Sequence, residues 1–443
     1  MFRLKILLTV IFYLSVSGVF GQKPLNYTDV DKKSYQYYLD DQLDSLRGIS
    51  HKAFSAGIDY YFLRMRMGVL YYNHKNYMAA IPHFRKALEF NNGDPVAEEY
   101  LYYALLFSGR KKEAVKLSST FSDSLKSKLN IDKTPVITSI SATILHSNLT
   151  NNNVLDNYNF DASSVGNGSQ LITRIFNYQG LHLQHQLSPS FSIFHGYGHL
   201  KKTSFGYYYT DGLANTLTEQ ELTQHQYYIS GTLTLRKGFS ISPAFQFLNI
   251  RIPSYQQNSR GMWQRTNTQT YSQNDYVYGL SMNQYFTYIN LQAGAVWSAL
   301  NGRKQLQESA GLTLYPLGNL NLYIYASLIF HHTIQNRVVY FPEKIYRIKA
   351  GAGFFNTFWL EAGIIKGNLE NTSLDNGFII YNNTDYPTGI YEGSLIFPVK
   401  KFNISISYSL TEQQSVYRST GTTTYNKLTY NSQTITGGIS WKF

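Results

Sequence analysis

From about residue 135 to the last residue, hydropathy alternates with a period of two over stretches of ten or more residues. Nothing else in the chain restricts the fold as strongly. Phe402, Ile404, Ile406, Tyr408 and Leu410 alternate with Asn403, Ser405, Ser407, Ser409 and Thr411. Leu320, Leu322, Ile324, Ala326, Leu328 and Phe330 alternate with Asn321, Tyr323, Tyr325, Ser327 and His331. Successive strand side chains point to opposite faces, so each stretch reads as a strand with one wholly apolar face. A strand in a soluble sheet averages about 5–6 residues. Strands of about ten residues with a continuous apolar face match the hydrocarbon band of a bilayer instead.

Composition agrees. Charged residues make up 15% of the 443 positions, aromatics 16%, and 39 residues are tyrosine. Mean hydropathy is nonetheless −0.27, and beyond the first twenty positions no apolar run approaches the ~20 residues of a spanning helix. Alternation reconciles a greasy surface with a middling average. There is no cysteine, so no disulfide or thiolate chemistry is available. The formal charge of +12 fits phosphate-rich lipid or an acidic polymer. No nucleic-acid motif or basic–aromatic array accompanies it, and nucleic acid is not an expected partner.

Counting alternating stretches gives fourteen strands, with twelve and sixteen the neighbouring even counts. They fall near 136–146, 171–187, 190–206, 223–236, 239–252, 275–286, 289–300, 304–315, 320–333, 344–355, 358–367, 388–397, 402–412 and 429–443. Tight connections such as Ser188-Pro189 and Lys237-Gly238 alternate with long polar ones at 148–170, 207–222, 253–273, 334–343, 368–387 and 413–428, apart from the short Asn301-Gly302-Arg303. Short turns at one rim and long loops at the other are the habit of an outer-membrane barrel. The last strand carries Ile435, Gly437, Ile439, Trp441 and Phe443 on its apolar face. It is expected to close the barrel by pairing with Val136–His146, with Trp441 and Phe443 in the periplasmic aromatic girdle.

Ahead of this region the pattern changes. Residues 1–21 read as a cleaved secretory signal, with a basic start, an apolar stretch and small residues before Gln22. No cysteine follows the apolar stretch, which excludes lipoprotein anchoring. From Ser34 to about Lys128 the periodicity is helical. Gly68, Tyr71, Ala80, Phe84 and Ala87 have the spacing of a helical hairpin in which small residues allow close approach and aromatics fill the gap. Ala114 stands at the place of Ala80 in a second, degenerate copy, and one earlier helix, Ser34 to about Phe54, is expected in front. The tyrosines of this region either line a peptide groove or pack between helices.

Chemistry is sparse. Arg347 and Lys349 point inward on one strand, Glu361 on the next and Glu392 on the one after, so opposite charges face each other across the ladder. They form either a selectivity constriction or a salt-bridge network that fills the lumen and holds register. His182, His185, His195, His199 and His225 cluster early in the barrel, with His331-His332 later. His195 and His199 lie about 13 Å apart along one strand face. No His-x-His occurs, which favours an interface or lumen role over a metal site. No catalytic motif stands out, and neither an enzyme nor a cofactor is expected.

The Gly68–Ala87 spacing, with its copy about 34 residues further on, resembles the tetratricopeptide repeat. A signal segment, such repeats and a barrel ending on phenylalanine together resemble tetratricopeptide-barrel outer-membrane proteins, among them the YaiO-like barrels and the exopolysaccharide export porins. The Ile439, Trp441, Phe443 ending resembles the address read by the barrel-assembly machinery. The resemblance implies an α+β multidomain chain: a signal peptide over 1–21, a periplasmic tetratricopeptide-like domain over 22–134 and an outer-membrane barrel over 135–443. It implies lipid and lipopolysaccharide around the barrel, transport or export through it, and a periplasmic partner for the repeats. The alternative is a plugged barrel that anchors a scaffold for that partner.

Overall fold

Fourteen strands hydrogen-bond in an unbroken antiparallel ring. The computed structural model describes residues 25–131, 135–151, 153–156, 160, 163, 166–210, 213–235, 237–257, 263–335, 338–339, 342–354, 357–419 and 427–443; residues 1–21, expected as a signal segment, lie outside them. The ring comprises β1 (Ile137–Leu149), β2 (Gly168–Ser188), β3 (Phe191–Thr210), β4 (Leu213–Thr234), β5 (Phe239–Gln257), β6 (Trp263–Tyr285) and β7 (Ile289–Leu300). It continues through β8 (Arg303–Leu314), β9 (Leu322–Gln335), β10 (Glu343–Phe354), β11 (Phe358–Lys366), β12 (Tyr386–Val399), β13 (Phe402–Val416) and β14 (Lys427–Lys442). Each strand pairs with the next, and β1 pairs with both β2 and β14, which leaves the sheet without an edge. The seam has the expected partners: Ile140 faces Trp441, Ala142 faces Ile439 and Ile144 faces Gly437.

Two expectations about the loops change. The described residues of the stretches 207–222 and 253–273, namely 207–210, 213–222, 253–257 and 263–273, continue the ladder instead of looping out. Gly206 pairs with Thr218, Thr210 with Leu213, and Ile252 with Tyr271. Alternation fades there because a strand above the bilayer has no lipid to face, while backbone pairing needs no apolar side chain. Residues 368–387 leave the rim in the opposite direction and fold into the lumen, as described below.

The outer surface fixes the membrane frame. Glu412 stands ten residues beyond Phe402 on β13 and pairs with Lys366 at 2.8 Å. At about 3.3 Å per residue and about 40° tilt this spans roughly 25 Å, the usual height of the apolar band. Between these limits Ile404, Ile406 and Tyr408 project outward and are 39%, 54% and 50% exposed. At the turn end Phe354 stacks on Phe358, and Trp441 stacks on both Phe402 and Phe443, forming an aromatic girdle.

By contact the chain divides into two compact units, Met1–Ala104 and Leu105–Phe443. Its helices are α1 (Tyr27–Leu39), α2 (Leu43–Ser55), α3 (Tyr61–Asn73), α4 (Tyr77–Phe90), α5 (Pro95–Phe107), α6 (Lys111–Ser118) and α7 (Asp123–Leu129), with a one-turn α8 (Asn153–Asp156) after β1. The single early helix expected over Ser34–Phe54 is two helices, broken by Asp41 in a left-handed conformation (φ 53°). Helix starts recur at one constant step, at positions 27, 61 and 95 and again at 43, 77 and 111. Six helices therefore recur in phase along the sequence, and the first four form two hairpins in the first unit.

In the first unit, Gly68 of α3 lies so close to α4 that a Cβ there would stand 2.5 Å from the Phe84 ring. Ala80, Phe84 and Ala87 are fully buried, and Tyr71 stacks on His83 with centroids 5.6 Å apart. Burial and the nearby Arg64 guanidinium hold the His83 pKa down at about 4. In the second unit, α6 lies against the turn end of the barrel. Lys116 Nζ donates to the Thr234 carbonyl at 2.9 Å. Arg110 Nε donates to Glu113 Oε1 at 2.6 Å while its guanidinium covers the Tyr285 ring. Ala114 of α6 is fully buried.

Candidate functional site

The segment between β11 and β12 carries "SLDNGFII", two apolar arms around Asp-Asn-Gly. That composition specifies a hairpin, because Asn and Gly accept positive φ at a tight turn. Here Asp375, Asn376 and Gly377 have φ of 52°, 60° and 87°. Thr372–Leu374 pairs with Ile379–Tyr381 as a two-stranded ribbon. Its apolar side chains would be wasted in a solvent loop. In the lumen they find partners: Leu369, Leu374 and Tyr381 pack with Ile329, Ile345, Ile365 and Ile390.

The ribbon crosses the barrel from wall to wall. It leaves β11 and β12, and its tip rests on β2 to β6, which lie opposite in a ring of fourteen. Phe378 sits edge-on to His182, Phe194 and Tyr228 with centroid distances of 5.4, 5.6 and 5.1 Å. Asn376 Nδ2 donates to the Ser242 carbonyl at 2.9 Å. A Cβ added at Gly279 would stand 2.6 Å from the Asn376 carbonyl oxygen, so only glycine admits the tip there. Phe194 and Ser242 are three residues from the turn end of their strands, while Ile345 is two residues from the loop end of β10. The hairpin thus runs through most of the lumen's depth.

Polar anchors fix both legs. Gln307 holds Ser373 like a neighbouring strand: its Oε1 accepts from Ser373 N at 2.9 Å, and its Nε2 donates to Ser373 O at 3.1 Å. Arg347 Nη1 donates to Asp375 Oδ1 at 2.6 Å. Asn301 Nδ2 donates to Asn371 Oδ1 at 2.8 Å and to the Asn382 carbonyl. The buried Asp385 accepts from Thr173 N at 2.6 Å, from Thr173 Oγ1 at 2.9 Å and from the Tyr430 hydroxyl. Several of these donors are themselves buried, so each bond avoids the ~1–3 kcal/mol of a stranded polar group.

Beneath the tip, on the turn side, lies a cavity of about 180 Å³. Its lining includes Ser281, Asn283, Gln292, Ser309, Tyr325 and the Arg347–Asp375 pair. Beside it stands the charge group expected from sequence. Lys349 Nζ reaches Glu361 Oε2 at 3.2 Å and Glu392 Oε1 at 3.4 Å, and the Tyr323 hydroxyl donates to Glu361. Lys349, Glu361 and Glu392 therefore meet, and their side chains are 18–26% exposed. Arg347 does not join them: it is committed to Asp375 on the hairpin. Sequence reasoning missed the hairpin because a long polar connection reads as a surface loop. The Asp-Asn-Gly turn between apolar arms was the signal that could have revealed it.

The other residues singled out from sequence are structural in position. Gly68, Tyr71, Ala80, Phe84 and Ala87 pack α3 on α4. Ile439 and Trp441 project outward, and Phe443 N donates to the Thr138 carbonyl at 3.2 Å across the seam. Among the described residues, no group of three or more His, Asp or Glu side chains is placed to hold a metal ion.

No protein-family model matches the chain, and no curated protein matches it. Among solved structures, the chain is similar to the toluene transporter TodX of P. putida at 9% identity and a TM-score of 0.43, over 70% of this chain and 91% of that one. A FadL homologue of Pseudomonas aeruginosa is similar at 7% identity and a TM-score of 0.39, over 69% and 90%. Salmonella typhi OmpF is similar at 10% identity and a TM-score of 0.28, over 69% and 97%. At this distance the likeness carries no functional argument, and the barrel is read from its own strand pairing.

Proposed function

We propose that the chain is an outer-membrane channel whose passage is set by the inward hairpin over residues 367–385. One observation carries this reading: an element built around a tight turn spans the closed barrel from wall to wall. A barrel that served only as an anchor would fill its lumen with wall side chains and need no such element. The Lys349, Glu361 and Glu392 group then acts as the charged constriction beside the tip. The start of β1, the end of β14 and the short turns share one end, which is the periplasmic end in this reading.

The six helices in phase read as tetratricopeptide-like, supported by the constant step between helix starts and by the Gly68–Phe84 and Ala80 packing. They serve as a periplasmic dock for a protein partner, with Tyr35 and Phe62 exposed on their surface.

The test replaces Leu369–Asn383 with a short Gly-Ser linker and records single channels in planar bilayers. Large conductance steps in the deletion and small or absent ones in the full chain are expected. Equal conductance in both would remove the hairpin as the barrier. No conductance in either would favour the anchored scaffold. Photo-crosslinkers at Tyr35 and Phe62 that yield no periplasmic adduct would remove the docking role.

A further inference from the structure

The outer wall is chemically uneven. On β13, the outward residues between Phe402 and Glu412 are Ile404, Ile406, Tyr408 and Leu410. On β3, the outward residues between Phe191 and Lys201 are Ile193, His195, Tyr197 and His199. The two intervals have the same length, and Lys201 pairs with Glu221 at 2.8 Å as Glu412 does with Lys366. His195 and His199 thus lie at the heights where β13 presents Ile406 and Leu410, and Tyr197 at the height of Tyr408. Their neighbours on β2 and β4 continue the pattern: His185 on β2, and His225 and Tyr227 on β4.

Five of these side chains form two hydrogen-bonded strings on the membrane face, and the sixth, His199, lies against the second by ring contact alone. His185 Nε2 and His195 Nε2 are 2.9 Å apart, and His195 Nδ1 lies 3.0 Å from the Tyr227 hydroxyl. His225 Nδ1 lies 2.6 Å from the Tyr197 hydroxyl, and its ring lies tilted against His199 with centroids 4.8 Å apart. Each string covers part of the cost of placing polar groups against hydrocarbon. Neither closes on itself. His199 Nδ1 is buried without a partner among the described residues, and each string uses only one ring nitrogen of its terminal histidine, Nε2 of His185 and Nδ1 of His225.

We infer that the outer face of β2–β4 is a seam within the membrane that docks a second copy of this chain. The occupant follows from the chemistry. Imidazole and phenol each both donate and accept, so a stripe of them complements itself across a two-fold axis, where the same patch meets itself. The stripe carries no Lys or Arg, which anionic lipid headgroups would call for; Lys201 and Arg251 stand only at its upper edge. The inference rests on the outer wall facing lipid and is independent of whether the lumen conducts.

The natural absence of cysteine gives a direct test. Tyr197→Cys and Tyr227→Cys are introduced singly into the full chain, with Ile406→Cys on β13 as control. Each is oxidised in native outer membranes, and folding is verified by heat-modifiable gel migration. Folded barrels should show a disulfide-linked species of twice the chain mass at Tyr197 and Tyr227, at least tenfold above Ile406. Adding His195→Ala and His225→Ala should abolish it. Folded barrels with no dimer at either stripe position, dimer equal at Ile406, or adducts only with lipopolysaccharide or another protein would overturn the inference. Failure of the barrel to reach the membrane would instead defeat the lipid-facing reading on which it rests.

Discussion

Phe378→Ala is the sharpest perturbation of the hairpin, because the ring is held by three edge-on contacts and not by the ribbon itself. Such contacts contribute about 0.5–1.5 kcal/mol each, so the substitution costs the seated tip about 3 kcal/mol. That raises the displaced fraction roughly 150-fold, at about 1.4 kcal/mol per tenfold. The Gln307–Ser373 and Asp385–Thr173 bonds are untouched, so the legs stay attached and the tip alone is freed. Planar-bilayer recording should then show frequent transitions to the conductance of the hairpin deletion. Gly279→Ala attacks the same seat from the wall. Its Cβ would lie 2.6 Å from the Asn376 carbonyl, a backbone atom that no rotamer change can move. The double variant should exceed neither single by much, since both release one element. Wild-type traces from both single variants, with barrels folded, would refute the assignment of the tip as the barrier.

Two further outcomes follow from the charges. In the hairpin-deleted barrel, Lys349→Gln leaves Glu361 and Glu392 without their shared cation, which changes the local charge from −1 to −2. The reversal potential across a KCl gradient should move toward cation selectivity, and Glu361→Gln should move it the other way; no shift from either would make the group structural. In the first helical unit, His83 stays neutral in the fold down to about pH 4, whereas an unfolded histidine gains a proton near about 6.5. Its contribution is therefore intact above about pH 6.5 and is lost as pH falls from there toward about 4. By about pH 5 the loss reaches about 2 kcal/mol at most, since the ring is partly exposed. Hydrogen exchange of α3 and α4 amides should quicken accordingly, and His83→Gln should flatten that dependence; an equal slope in the variant would exclude His83 as the cause.

The barrel was legible because lipid imposes a period on every strand that crosses it. Ile404, Ile406, Ile435 and Ile439 had to alternate, and the seam between β1 and β14 follows once both ends of the ring are counted. The helical step was visible at Gly68, Ala80 and Ala87. Ser34, Leu46 and Ala53 hold the same places one repeat earlier and are all fully buried, but serine and leucine in place of glycine and alanine hid the first copy. What the sequence could not announce were relations between distant segments. Arg347 and Lys349 share one strand face and look equivalent, yet Arg347 turns to Asp375 while Lys349 takes two carboxylates, because only the folded hairpin brings Asp375 within reach. The hairpin's direction is likewise a tertiary fact. Local turn chemistry shapes Asp375-Asn376-Gly377 whether it points to water or to the lumen. The choice is made by the apolar pocket around Ile345 and Ile365 and by the bare backbone at Gly279, which exist only when the ring is closed.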